Sequence, residues 1–360
     1  MDADTFIGEG LDPELLPVEE LADCAAAALA ADGKRILSYG GGAGYTPLRE
    51  LIGEWFGVHP GRVLLTNGSQ EGLGLLARRL ADGRPAVAEY PLDRRAERAI
   101  LDARTVLLSV GIDASGMNTA ELRQMLTEFR RPALIYTVPS FHNPTGHTMT
   151  LERRQALVEL VRSQNMLQTE QIVLLEDDAY GLTRFDGERI PGLFDMSAGA
   201  ATYSSSFSTT IAPGLRVGFM ILAAALASEL AADASATYIS PALLGQATVF
   251  EFIRRGSFEA HVGRLREGLK LRRDTLLDAV AEHFPDGSCV PPEGGFYAWL
   301  ELPVGTDSRT FAASEQGWAV PGTSFSWTAN ALRLSFASAS PEELAARVER
   351  LATARAAQAA

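Results

Sequence analysis

The sequence predicts an α/β fold, and three observations carry that expectation. Residues 62–81, RVLLTNGSQEGLGLLARRLA, read as a strand, a small polar turn and a helix, with Leu73, Leu76 and Leu80 at helical spacing. Residues 133–161 repeat the pattern: an apolar, partly β-branched run at 133–138, a turn at Asn143-Pro144-Thr145-Gly146, then Leu157, Leu160 and Val161 on one helical face. The 360-residue length exceeds one small core and fits a large domain with a smaller one, and a hydrophobic content of 46% is ample for both.

The other segments follow in chain order. Residues 13–31 read as a helix, with Leu15, Val18 and Leu21 as its apolar positions. In residues 38–51, three glycines (Gly40, Gly41, Gly42) lie between Tyr39 and Tyr45, and Leu48, Leu51 and Ile52 open the next helix. The turn Asn67-Gly68-Ser69-Gln70 lies at a helix start, where free N–H groups and the helix dipole favour an anion. A serine acting as a plain cap reads the same way. Thr150 is placed to cap the helix that follows it. Residues 172–185 form a buried strand ending in Glu176, Asp177 and Asp178, and alternation sends these consecutive carboxylates to different faces.

Residues 201–221 read as strand, turn and strand around Ala212-Pro213-Gly214. Three hydroxyls (Ser206, Ser208, Thr209) and Arg216 accompany the turn, a set suited to a phosphate dianion; an ordinary loop with one surface arginine fits equally. Residues 223–283 are mostly helical, residues 320–337 place Arg333 on a strand, and an amphipathic helix with Leu344, Val348 and Leu351 follows Pro341.

A net charge of −13 argues against a nucleic-acid partner, because phosphate contacts need a basic face. Two cysteines, Cys24 and Cys289, make no disulfide framework and suit a reducing cytoplasm. The acidic N-terminus does not have the form of a signal peptide. No uncharged apolar run reaches the ~20 residues needed to span a membrane.

Five of these segments, in order from Tyr39 to Leu351, resemble the fold type I pyridoxal-phosphate enzymes, aminotransferase class I/II. Residues 206–216, SFSTTIAPGLR, are similar to the family's S-F-S-K-x-x-x-P-G-x-R, with Thr209 where the Schiff-base lysine stands. The segment from Tyr39 resembles the family's Y-G-x-x-x-G stretch, whose tyrosine reaches the neighbouring subunit's cofactor phosphate. Gly68, Ser69 and Gln70 match its phosphate-holding T-x-G-S-Q turn, and Asn143 matches the asparagine of N-P-T-G that donates to the ring hydroxyl. Asp177 and Tyr180 match D-x-A-Y, in which the aspartate pairs with the ring nitrogen. Residues 291–303 and 320–337 resemble the small-domain segments, with Arg333 as the substrate-carboxylate clamp. A second departure falls where E-x-P-x-Y supplies a ring-stacking aromatic: Asp93 holds that place, with Tyr90 three residues away.

The resemblance implies a three-layer αβα domain around a mostly parallel seven-stranded sheet, spanning 45–245. A small α+β domain would be built from 1–44 and 246–360. It also implies a homodimer with Tyr39 at the partner's site. No winged-helix segment is read ahead of this fold, unlike the transcription regulators that share it.

Without lysine, Thr209 offers neither an amine nor useful basicity near neutral pH. Three functions stay open at this point. One is a specialised biosynthetic enzyme for an amino-acid-like substrate, holding pyridoxal or pyridoxamine phosphate non-covalently through Ser69, Gln70, Ser206, Ser208 and Arg216, with His142 or Tyr180 as substitute base. The second is a cofactor-independent enzyme reusing the cleft for a phosphate- or carboxylate-bearing substrate. The third is a non-catalytic binding or partner subunit.

Overall fold

The computed structural model describes residues 10–128, 131–167, 169–315, 317–326 and 328–359. The extreme acidic start of the chain, residues 1–9, lies outside them. Among the described residues, one sheet has eight strands: β1 (Val63–Thr66), β2 (Ala86–Tyr90), β3 (Leu107–Asp113), β4 (Gly116–Met117), β5 (Leu134–Thr137), β6 (Val173–Asp177), β7 (Thr202–Ser206) and β8 (Gly218–Ile221). Their spatial order is β1-β8-β7-β6-β5-β2-β3-β4. Pairs β2–β3, β2–β5, β5–β6 and β6–β7 are parallel, whereas β8 runs antiparallel to both β7 and β1. The expected mostly parallel seven-stranded sheet is therefore present, with the two-residue β4 added as an antiparallel edge to β3.

Helices cover both faces of the large sheet, as buried parallel strands require. On one face, α1 (Val18–Ile36), α2 (Thr46–Phe56) and α9 (Leu243–Arg254) pack over Val63, Leu65, Phe219 and Ile221. On the same face, α5 (Thr119–Glu128) and α6 (Leu151–Met166) pack over Val87, Ile135 and Leu174. On the other face, α3 (Ser69–Leu80), α4 (Arg94–Leu101) and α8 (Ala224–Tyr238) cover Leu64, Ala88, Leu175 and Met220. The short α7 (Leu193–Met196) contributes Phe194 to the first face.

A second, four-stranded antiparallel sheet has the order β11-β12-β10-β9, from β9 (Ser288–Cys289), β10 (Tyr297–Glu301), β11 (Ala319–Pro321) and β12 (Ala331–Ser335). Its core joins α10 (Ser257–His283), α11 (Arg309–Ala312) and α12 (Pro341–Ala359) to Leu11. The helix read over 13–31 instead begins at Val18, after a single 3-10 turn at Pro13–Leu15, because Pro17 stands at its N-cap. Among the described residues, no helix is long and apolar enough to cross a membrane.

Chain order reverses between β2 and β5: β3 lies outward of β2, whereas β6 and β7 continue the other way. In open α/β sheets, the crevice at such a reversal, beyond the carboxyl ends of the strands, is where ligands bind.

Candidate active site

A cavity of about 660 Å3 occupies that crevice. The loops after β1, β2, β5, β6 and β7 each supply residues to its wall. Asp93 follows β2 and Asn143 follows β5, so they face each other across the reversal.

At one end, the chain leaves β1 and enters α3 through Gly68, which has φ +85° and no side-chain cap. The first N–H groups of α3 thus have no intrahelical partner and no capping side chain. The backbone angle favours glycine here, and a Cβ on Gly68 would lie 2.7 Å from Arg216 Nη2, so a side chain at this position would push the guanidinium aside. Arg216 donates to the Asn67 carbonyl (2.7 Å) and to Ser208 Oγ (3.2 Å). Ser206 Oγ accepts from Ser208 N at 3.1 Å. Ser69 borders the same end, and Gln70 Nε2 donates to the Arg95 carbonyl at 2.6 Å. A guanidinium, three hydroxyls and a helix N-terminus form a donor set that suits a dianion.

Asp177 ends β6 and is 8% exposed. Tyr136, on the neighbouring strand, donates from its hydroxyl to Oδ2 at 3.0 Å, while Oδ1 has no partner among the described residues. Burial pushes the Asp177 carboxyl up to about 7; the Tyr136 hydrogen bond opposes this and Asp178 reinforces it. An unpaired carboxylate oxygen buried in a cavity wall calls for a proton donor on a ligand. Tyr180 borders the cavity and packs edge-on against Phe296 (5.3 Å) and Tyr297 (6.0 Å). Burial raises its hydroxyl well above the ordinary tyrosine range, so it keeps its proton.

Thr209 also borders the cavity, but its hydroxyl is turned to the backbone. It donates to the Ala179 carbonyl, with the Ser206 carbonyl 3.2 Å away. The chain's two lysines, Lys34 and Lys270, do not border the cavity. Lys270 pairs with Asp186 at 2.9 Å, and Lys34 is in the last turn of α1.

Three residues singled out from the sequence are not on this wall. His142 is 3% exposed, bonded through Nδ1 to Thr145 Oγ1 (2.9 Å), with Nε2 facing Glu89 Oε1 at 3.5 Å. Burial pushes it down to about 3, which keeps the imidazole neutral. Arg333 is wholly buried behind Asn143. Tyr39 is 84% exposed on the loop between α1 and α2.

Sequence reasoning passed over Tyr136, Glu89 and Arg95. The hydroxyls of Tyr136 and Thr137 in the otherwise apolar run 133–138, and an acid inside AVAEY, were the available signals. Glu89 accepts from Val138 N and from Thr137 Oγ1, and burial pushes it up to about 7.

The consecutive carboxylates separate as alternation requires. Glu176 and Asp178 border a second cavity, of about 780 Å3, on the opposite sheet face. Their work there is internal: Glu176 Oε2 accepts from Phe194 N (2.8 Å), and Asp178 Oδ2 accepts from the Tyr203 hydroxyl (3.0 Å). Buried Arg154 lies near both and donates to the Met149, Pro139 and Pro191 carbonyls.

Comparison with known proteins agrees with this geometry. Residues 10–351 match the family described as aminotransferase class I and II. The 2-aminoadipate transaminase of Thermus thermophilus is 33% identical over 96% of this chain and 88% of its own length. The crystal structure of LysN, an alpha-aminoadipate aminotransferase from the same species complexed with N-(5'-phosphopyridoxyl)-L-leucine, superposes with a TM-score of 0.90 over 98% of this chain and 92% of that one, at 33% identity. A Pyrococcus horikoshii kynurenine aminotransferase in complex with PMP gives 0.89 over 99% and 92%, at 28% identity. From its sequence, its sheet order and the cavity at the reversal of that sheet, the chain belongs to the class I and II aminotransferases.

Proposed function

We propose that this aminotransferase homologue holds pyridoxal or pyridoxamine phosphate reversibly, without a covalent link, and acts on a small amine-bearing molecule. The observation that carries this reading is a cavity with an anion-binding end and an orphaned buried carboxylate oxygen, yet with no lysine on its wall. Ser69, Ser206, Ser208, Arg216 and the start of α3 would take the phosphate. Asp177 Oδ1 would accept from the protonated ring nitrogen, with Tyr136 fixing the other oxygen. Asn143 would sit at the ring's edge. When bound, the cofactor supplies an electron sink for charge developing at the substrate carbon.

Thr209 takes the place of the lysine in this reading. Its hydroxyl donates to the backbone and cannot serve as an amine or as a base. Tyr180 borders the reacting region as a neutral donor. His142 is neutral behind the wall, and its role is to hold the loop that carries Asn143, through Thr145.

The test is titration of purified protein with pyridoxal phosphate and with pyridoxamine phosphate, followed by borohydride reduction. Both ligands are expected to bind and to dialyse away, leaving no borohydride-stable label. Arg216→Ala and Asp177→Ala should each weaken binding at least tenfold. Stable labelling of the unmodified chain at one site, or unchanged binding in both variants, would refute the reading.

A further inference from the structure

Parallel pairing between β2 and β5 runs through Ala86–Leu134, Val87–Ile135 and Ala88–Tyr136, and ends there. Beyond it the chain leaves β2 toward the second sheet, and Leu92 N donates to the Phe325 carbonyl at 3.3 Å. Val138 N, past the end of that pairing, takes a side chain as its partner instead of a strand: Glu89 Oε1 accepts from it. Glu89 Oε2 is bonded to Thr137 Oγ1 at 2.8 Å, and Oε1 also faces His142 Nε2 at 3.5 Å. Glu89 and His142 are both buried, and neither borders the cavity. His142 Nε2 has no hydrogen-bond partner among the described residues, and the Glu89 carboxyl is the polar group that it faces.

The segment so held runs from Tyr136 to Asn143. Its start fixes Asp177 through the Tyr136 hydroxyl, and its end places Asn143 on the cavity wall. The turn at that end is closed on His142: Gly146 N donates to the His142 carbonyl (2.6 Å), His142 N donates to the His147 carbonyl (2.8 Å), and Nδ1 is bonded to Thr145 Oγ1. His142 therefore moves with the turn that carries Asn143. The Asn143 amide is bonded at its tip to Asp93 and Arg333, so a shift of its backbone disturbs both bonds. Burying a carboxyl to satisfy one backbone N–H alone is unfavourable. Glu89 meets three points of one segment, as a support behind a precisely placed side chain must.

We infer that Glu89 is a positioning residue: from behind the cavity wall it fixes the segment from Thr137 to His142 against β2, and so sets where Asn143 meets the ligand. This deepens the proposed function and rests on its placing of Asn143 at the ligand.

The experiment compares Glu89→Gln with Glu89→Leu at pH 6, where burial keeps the Glu89 carboxyl protonated and an amide is its match. Glutamine offers a carbonyl to Val138 N and His142 Nε2 and an N–H to Thr137 Oγ1; leucine offers none of these. Calorimetric titration with pyridoxal phosphate should find Glu89→Leu at least tenfold weaker than the wild-type chain and Glu89→Gln within threefold of it. In an Asn143→Ala background, Glu89→Leu should cost less than threefold, because its effect passes through Asn143. Amide hydrogen exchange of the ligand-free proteins supplies a second readout. Glu89→Leu should speed exchange at least tenfold over residues 137–147 and leave the rest of the chain at the wild-type rate.

Equal losses in the two variants overturn the inference. So does a full tenfold cost in the Asn143→Ala background, or exchange that is unchanged over 137–147 or faster throughout the chain. Should Glu89→Leu fail to fold, His142→Asn tests the far contact, since asparagine keeps a partner for Thr145 and lacks the atom that faces Glu89. It should weaken pyridoxal phosphate at least threefold and speed exchange over 142–147, and wild-type behaviour on both counts overturns the inference. Failure of pyridoxal phosphate to bind the wild-type chain, with the local exchange as expected, overturns the cofactor reading and leaves the hold of Glu89 on the segment standing.

Discussion

At the residue scale, Thr209 and Asp93 are the two departures readable from the sequence, and both border the cavity. If Thr209 takes the lysine's place, then Thr209→Lys restores an amine beside Asp177 and Tyr180. The expected outcome is a visible absorbance band with added pyridoxal phosphate and a borohydride-stable label at position 209; an unlabelled variant counts against the placement. Glu89 shows where the sequence signal stops: an acid inside a five-residue strand marks an unusual position, but it does not say that the fold will bury the carboxyl completely. Its carboxyl ordinarily titrates near 4.5, and burial pushes it up to about 7. The folded chain therefore holds a proton that the unfolded chain releases between those values. The stability from the protonated form is complete below about pH 4.5 and is lost as pH rises through 7. Glu89→Gln keeps the neutral shape and removes that dependence. The wild-type chain should thus lose stability relative to the variant between pH 5 and pH 8, by on the order of 3 kcal/mol. Denaturant melts at the two pH values check this, and parallel curves would remove Glu89 from the account.

At the element scale, the strand–turn–helix units were legible because each carries its own punctuation. Thr150 accepts from Arg153 N at the start of α6, and Pro213 and Gly214 turn β7 back into β8. The start of α1 was misread because apolar spacing runs across Pro17, whose ring breaks the pattern where the periodicity does not. One contact could not be read at all: Asn143 donates to Asp93 and accepts from Arg333, partners that lie 50 and 190 residues from it and meet it only through the sheet reversal and the docking of β12. The β1–α3 junction yields a prediction of its own. Gly68→Ala must hold a side chain at φ +85° and push a Cβ to within 2.7 Å of Arg216. A left-handed angle costs a non-glycine residue about 1 kcal/mol or more, and displacing Arg216 disturbs the anion end. The variant should melt a few degrees lower and bind pyridoxal phosphate at least tenfold more weakly. Equal affinity in the two proteins would separate Gly68 from ligand binding.

At the scale of the whole molecule, the loop between α1 and α2 is held firmly while its aromatic is left in solvent. Gly40 N donates to Ser240 Oγ at 2.8 Å, and a Cβ at Gly42 would strike the Ala231 carbonyl at 2.1 Å, so the glycines lie flat against the start of α9 and against α8. Tyr39 projects from this anchored segment at 84% exposure, beside Leu37 at 71%. A tyrosine held outward on a rigid base keeps its conformational entropy cost low on contact, which favours a designed contact over a chance one. We expect a second copy of the chain to receive it, with Tyr39 at the partner's anion end. The −13 charge opposes this association through self-repulsion, so added salt should tighten it. Light scattering at micromolar concentration should return twice the 38.6 kDa chain mass in 500 mM salt, with some dissociation in 20 mM salt. Tyr39→Phe should leave the mass unchanged and weaken pyridoxal phosphate binding by about tenfold, as loss of one hydrogen bond to a charged group predicts. A chain that stays at 38.6 kDa in both salts removes the partner from the site, and Tyr39 is then a surface aromatic alone.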